Sequence, residues 1–200
     1  MKTTALDVLS APLATVEEGL LVFVRGASHL AIGVDGTMDD LFRARFDGKV
    51  PRFAVDGGTV TVKYRPGFHP PRGELTLSGR VPWAIDARWG MSDVVADLEG
   101  LQLTHLDISG GASHLEVRLP RPRSSVRVRV GGGASDVDLI RPTGVPVRIR
   151  VGAGTSNFTI DDVAIEGGLR TDRTSPGYDT AEARYEVEIG AGASKVRVRS

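Results

Sequence analysis

The sequence predicts an all-β fold, a single-domain parallel β-solenoid of the right-handed β-helix type with coils of roughly 21 residues. Three observations predict it. A Gly-Ala-Ser motif or a close variant recurs along the chain, apolar residues alternate with polar ones around it, and glycine supplies 25 of the 200 residues. Glycine in this abundance is typical of many short strands joined by tight turns.

The repeat determines where the strands lie. Apolar residues stand at alternate positions before each motif, as in Val126, Val128 and Val130, and again after it, as in Val137 and Leu139. A period of two indicates strands with one buried face. Each coil therefore supplies two strands that meet at a Gly-rich corner, and equivalent strands of successive coils pair in parallel. The motif serines are Ser28, Ser92, Ser113, Ser135, Ser156 and Ser194.

Two segments depart from the repeat. Thr37 stands three residues before Asp40 in a capping arrangement, which predicts a short inserted helix near residues 38–46. Residues 1–18 carry a few apolar anchors and are predicted to form an N-terminal cap or arm. Residues 19–200 are predicted to form the solenoid domain.

Composition limits the partners. The 25 basic and 25 acidic residues cancel, so the chain has no overall field to hold it on nucleic acid or on an anionic membrane. The chain contains no cysteine, which favours a reducing compartment and hence the cytoplasm. Its longest apolar run is far shorter than the roughly 20 residues that an integral membrane segment requires.

Two stretches of the repeat point to a known family. Residues 132–139 read Gly-Gly-Ala-Ser-Asp-Val-Asp-Leu, and residues 144–154 read Gly-Val-Pro-Val-Arg-Ile-Arg-Val-Gly-Ala-Gly. This pattern resembles the bacterial putative-adhesin or toast-rack repeat family, which includes soluble domains of membrane proteins that answer cell-wall stress. The resemblance extends over roughly residues 20 to 200. It implies a β-solenoid-like fold with a scaffolding or partner-binding role, and it supplies no catalytic residues.

Charged residues occupy outward positions between the buried ones. Stacking the coils in chain order predicts two adjacent arginine rows, a basic belt that would bind an acidic protein partner or a second copy of the chain. The alternative is an ordinary solvated sheet surface. The candidate partner-binding residues of this belt are Arg127, Arg129, Arg148 and Arg150.

The C-terminal strand is a second candidate contact. In a solenoid stacked in chain order, no coil follows the last strand, so the strand around Val196 and Val198 would offer an unpaired edge. The alternating Lys195, Arg197 and Arg199 could equally serve to repel such pairing.

No motif indicates catalysis, a cofactor or a metal. Residues 131–138 are similar to a calcium-binding nonapeptide, but that motif must recur every nine residues and does not. The motif serines stand outside any Gly-x-Ser-x-Gly elbow and are interpreted as turn residues.

The sequence therefore predicts a non-catalytic cytoplasmic scaffold or protein-interaction module that binds a protein partner or itself. The alternative is a module for a small molecule or glycan, with rim loops around Phe68, Trp83, Trp89 and Tyr178. An enzyme of unknown reaction is the third interpretation.

Overall fold

A computed structural model describes residues 9–64, 72–165 and 170–200. In these ranges the regular structure is β except for one short 3-10 helix at Tyr178–Thr180. The strands are β1 (Leu9–Pro12), β2 (Gly19–Phe23), β3 (Ala27–Asp35), β4 (Asp40–Phe46), β5 (Arg52–Asp56), β6 (Thr59–Lys63), β7 (Gly73–Ser78), β8 (Pro82–Ala87), β9 (Met91–Asp97), β10 (Gln102–Ile108), β11 (Ala112–Arg118), β12 (Ser125–Val130), β13 (Ala134–Ile140), β14 (Val147–Val151), β15 (Thr155–Ile160), β16 (Val163–Ile165), β17 (Thr171–Thr174), β18 (Arg184–Ile189) and β19 (Ala193–Arg199).

The strands form two sheets. A ten-stranded sheet has the order β1-β4-β7-β3-β9-β11-β13-β19-β15-β16, and a nine-stranded sheet has the order β17-β14-β18-β12-β10-β8-β2-β6-β5. Each coil contributes one strand to each sheet, and neighbouring coils pair in parallel and in register. Antiparallel strands close both ends of both sheets. The predicted all-β, parallel solenoid-like fold is confirmed.

The core lies between the sheets and is built by alternation along every strand. Val126, Val128 and Val130 are buried, whereas the intervening Arg127 is exposed. The Trp83 indole N–H enters the core and donates to the Ser78 carbonyl at 2.8 Å. One continuous cluster of buried side chains extends from Leu13 to Val198.

The predicted inserted helix near residues 38–46 is wrong, because this segment forms strand β4. Phe42, Ala44 and Phe46 alternate with exposed arginines, so the period is two. The Phe42 ring stacks on Phe53 with centroids 5.4 Å apart. Thr37 donates its hydroxyl to Asp35 and forms a local turn there. The apolar period has therefore overridden the capping pattern.

The coils do not stack in chain order. The first coil, β2–β3, lies between β6–β7 and β8–β9. The last coil, β18–β19, lies between β12–β13 and β14–β15. The prediction that the strand around Val196 and Val198 is an open edge is therefore wrong. Strand β19 pairs with β13 on one side and β15 on the other, and both valine side chains are buried.

Charge explains the position of the last coil. Arg127 and Arg129 of β12 lie opposite Glu186 and Glu188 of β18, and on the far side the same glutamates lie opposite the arginines of β14. Chain order would have put the two arginine rows directly opposite each other, about 4.8 Å apart, which is destabilising. The predicted basic belt is therefore wrong, and an alternating ladder takes its place.

The position of the last coil also favours charge pairing in the ten-stranded sheet. The carboxylate of Asp138 on β13 is largely buried and lies 3.0 Å from the Arg199 guanidinium and 3.5 Å from that of Arg197, both on β19. Beside β15, the same carboxylate would have met the uncharged Thr159. A buried carboxylate without a cation is costly.

At the N-terminal end, β1 pairs antiparallel with β4 and forms the edge of the ten-stranded sheet. The assignment of residues 1–18 as a cap or arm remains a prediction, because residues 1–8 lie outside the described ranges.

The alternation in β12 can be tested with neighbouring aspartates. Val128→Asp buries a carboxylate among apolar side chains, and we expect it to lower the free energy of unfolding by about 3 kcal/mol or more. Arg127→Asp keeps its carboxylate in solvent and should cost about 1 kcal/mol at most. Chemical denaturation of both variants measures this, and equal losses would contradict the strand register.

The charge ladder predicts a salt-dependent stability. Changing both Glu186 and Glu188 to Arg sets three arginine rows side by side, and we expect a loss of about 2 kcal/mol at low ionic strength. Added salt should recover part of the loss, because it screens exposed charges. The matched control changes both residues to Gln. Equal stability of the two double variants at low salt would show that charge does not fix the position of this coil.

Candidate functional site

The corners between the sheets form a continuous row. The motif serines of six coils lie side by side, because the strands that follow them pair in register. Their hydroxyl groups make no hydrogen bond to any other residue within the described ranges. In spatial order the row is Ser28, Ser92, Ser113, Ser135, Ser194 and Ser156.

Glycines keep the corner free of side chains. The amide after five of the six motif glycines donates to the glycine carbonyl of the neighbouring coil, as Met91 does to Gly111 at 3.0 Å. A Cβ on Gly90 would lie 2.8 Å from that same carbonyl oxygen, and one on Gly190 would lie 2.4 Å from the carbonyl oxygen of Gly131. Stacked backbones this close require glycine. The corner is therefore a flat strip whose amides already have partners.

A groove follows this strip, and we call it the corner groove. Its larger part has a volume of about 1030 Å³ and extends from Val24 and Tyr64 to Gly133. Gly133 also lines a shallower part of about 430 Å³ beside the last three corners. The Trp89 side chain lines the larger part and is 67% exposed. The indole is therefore accessible from solvent along the groove.

One end of the corner groove combines a tyrosine with two cations. The Tyr64 hydroxyl is buried and has no hydrogen-bond partner among the described residues, and burial raises the pKa of Tyr64 to about 12. Arg25 and Lys63 line the same end and are exposed. This end is positively charged and contains an unused hydroxyl.

A second row lies beside the serines. The residue after each motif serine adopts a positive φ, between 47° and 55°. Asp, Asn and His are enriched in this left-handed conformation, which explains their frequency here. The His114 ring lies 3.6 Å from Asp93 and 3.9 Å from Asp136. Within the described ranges, no three His, Cys, Asp or Glu side chains are grouped closely enough to hold a metal ion.

The outer face of the nine-stranded sheet carries the charge ladder, and we call it the ladder face. Most of its arginines have partners. Arg129 lies 3.2 Å from Asp107, while Arg148 and Arg150 lie 2.6 and 3.8 Å from Asp172. The hydrogen-bonded guanidinium of Arg148 holds the pKa of Asp172 below its usual value.

Arg127 is the exception in the ladder. Its guanidinium is exposed and makes no ion pair or side-chain hydrogen bond to another described residue. Glu186 lies opposite Arg127, but its carboxylate accepts from the hydroxyls of Ser125 and Tyr178, at 3.2 and 3.1 Å. A polar cleft of about 430 Å³ surrounds Arg127 and also includes His105. The ladder face thus presents one guanidinium ready for a new partner.

The aromatic residues of the alternative interpretation are scattered. Trp83 is fully buried in the core, and Tyr178 is buried with its hydroxyl on Glu186. Phe68 lies outside the described ranges. Trp89 alone of these four is both described and exposed.

Sequence reasoning missed Arg25, Lys63 and Tyr64 as groove residues. Arg25 had a detectable signal, because it stands three residues before Ser28, as Trp89 does before Ser92. Lys63 and Tyr64 had none, since the exchange of the first two coils places them there.

No helix within the described ranges is long and apolar enough to cross a membrane.

Three comparisons relate this chain to known proteins. A search of curated proteins found no match. Among solved structures, the chain is similar to a putative cell adhesion protein from Clostridium sporogenes, with a TM-score of 0.66 and 16% sequence identity over 96% of this chain and 98% of that chain. This likeness shows a shared fold. The family model described as the N-terminal domain of toast_rack, DUF2154, matches residues 26–140. Because that match covers more than half of the chain, the protein belongs to the toast-rack family.

Proposed function

We propose that the protein is a non-catalytic protein-interaction module that binds an acidic surface of a partner protein through its ladder face. The exposed, unpaired guanidinium of Arg127 carries this proposal. The similar fold of a protein described as a cell adhesion protein agrees with a binding role.

The ladder face suits a protein partner because it is fixed before binding. Its strands pair on both sides from β8 through β14, so their side chains project from rigid backbone. Arginine is enriched at the energetic centres of protein interfaces, where it forms charge-assisted bonds to carboxylates. Neighbouring ion pairs such as Arg129 with Asp107 are already formed and would surround the contact.

The sheet edges are less suited to binding a partner strand. The outermost strands are β16 with three residues, β1 and β17 with four, and β5 with five. Such short edges are a common defence against edge-to-edge pairing. The proposal therefore places both partner binding and any self-association on the ladder face.

We also propose that the protein lies in the cytoplasm. Its support is the absence of cysteine, which matches a reducing compartment. Fractionation of the native cells with an antibody against the protein tests this location directly.

The binding proposal is tested with two arginine variants. We expect immobilised wild-type protein to capture a partner from native cell extract, and Arg127→Ala to weaken that capture about tenfold. Arg52→Ala is the matched control, since Arg52 is also an exposed arginine of the nine-stranded sheet but lies on β5, at its far end. Quantitative mass spectrometry of the captured proteins measures the effect, and cross-linking maps the contact.

The two variants together test whether the partner binds at the ladder face. The ladder face is supported if the Arg52→Ala variant still captures a protein that Arg127→Ala does not capture. Salt should release that protein from the wild type. The same set of captured proteins from wild type and Arg127→Ala would contradict the proposal.

A further inference from the structure

We propose that the corner groove binds an acidic oligosaccharide, with one sugar ring stacked on Trp89 and its acidic group held by Arg25 and Lys63. The corner groove is separate from the ladder face, so this binding goes beyond the proposed protein contact. Four features of the groove carry the inference: its exposed indole, its free hydroxyls, its occupied backbone and its charge.

Trp89 is placed to stack on a ring. It stands three residues before its motif serine, and the next two coils have Gly110 and Gly132 at the same position. The Gly110 amide donates to the Trp89 carbonyl at 2.8 Å, and the Gly132 amide donates to Gly110 at 2.8 Å. At the position of the indole, the next two coils consequently present a surface of glycine backbone. A sugar ring has a flat C–H face that can pack against an aromatic ring and such a surface.

The motif serines supply hydrogen bonds of the kind a sugar uses. Ser28, Ser92 and Ser113 line the larger part of the groove with hydroxyls that have no partner among the described residues. Equivalent atoms in adjacent coils repeat about every 4.8 Å. Each hydroxyl can donate and accept, as can each hydroxyl of a sugar. A polyhydroxylated chain lying along the stack would meet a serine at every coil.

The backbone argues against a peptide as the occupant. Peptides that bind in an extended form rely on unpaired main-chain donors and acceptors of the protein. At this corner the amides of Ala27, Met91 and Ala112 already donate to carbonyls of the next coil, at 3.2, 3.0 and 2.9 Å. The side-chain hydroxyls, the indole and the cations therefore remain as the recognition groups.

Charge specifies an acidic sugar. Among the described residues that line the larger part of the groove, Arg25 and Lys63 are charged and none is acidic. Asp93 and Asp136 follow the serines in the neighbouring row, but both carboxylates face His114.

Calorimetry with defined sugars tests the proposal. The acidic probes are trigalacturonate and sialyllactose, and the neutral probe is cellotriose. We expect saturable binding of at least one acidic probe, weakened about tenfold by Trp89→Ala and by Arg25→Gln. Arg88→Gln is the matched control, because Arg88 is an exposed arginine next to Trp89 that does not line the groove. Trp89 is exposed, so its loss should leave the melting temperature unchanged.

Any of the following results would overturn the proposal. The first is no saturable binding of either acidic probe up to about 10 mM. The second is equal affinity for cellotriose, which would remove the role of Arg25 and Lys63. The third is binding that Trp89→Ala leaves intact, or a polyglutamate peptide that binds as tightly and shows the same loss with Trp89→Ala.

Discussion

The structure depends on parallel pairing that sets equivalent residues of neighbouring coils beside one another. Once Ser113 lies between Ser92 and Ser135, every other position of those coils is fixed as well. Inside, valine packs on valine. Outside, a charged residue lies beside the residue at the equivalent position of the neighbouring coil. A shift by one residue would turn Val128 outward and Arg127 inward, so burial alone fixes the register. Glycine at the corner permits the close approach that this register needs.

Burial does not determine which coil lies beside which, because the apolar rows of all coils are nearly alike. The charged rows differ, and they distinguish the neighbours. Glu186 separates Arg127 from Arg148 on one sheet, while Asp138 has Arg199 beside it on the other. Glu186 forms no ion pair with either arginine, and the guanidinium groups paired with Asp138 are exposed, so each charge contact contributes little to stability. Their joint effect is to choose among arrangements whose cores are almost equally good.

Local patterns in the sequence predicted the strands, the corners and the inward residues, since each depends on residues a few positions apart. Phe42, Ala44 and Phe46 carried the same period-two signal, but the prediction followed the capping pattern of Thr37 and Asp40. The exchange of coils at both ends is a long-range choice. Its signal was present in the complementary charges of Arg127 and Glu186, yet stacking in chain order was assumed. Of the groove, the sequence pointed to Trp89 only as a rim-loop aromatic of the alternative ligand-binding interpretation and favoured a place in the core for it, whereas Tyr64 depends on that exchange.

The exchange at the C-terminal end has a consequence for synthesis on the ribosome. Strands β14 and β15 emerge before β18 and β19, so any early pairing of β14 with β12 has to be undone before β18 can take its place between them. The two arginine rows repel each other during this interval, and the gap stays open for the glutamates of β18. Completion of the fold therefore waits for β18 and β19, and a chain stopped short of β18 would expose apolar core residues.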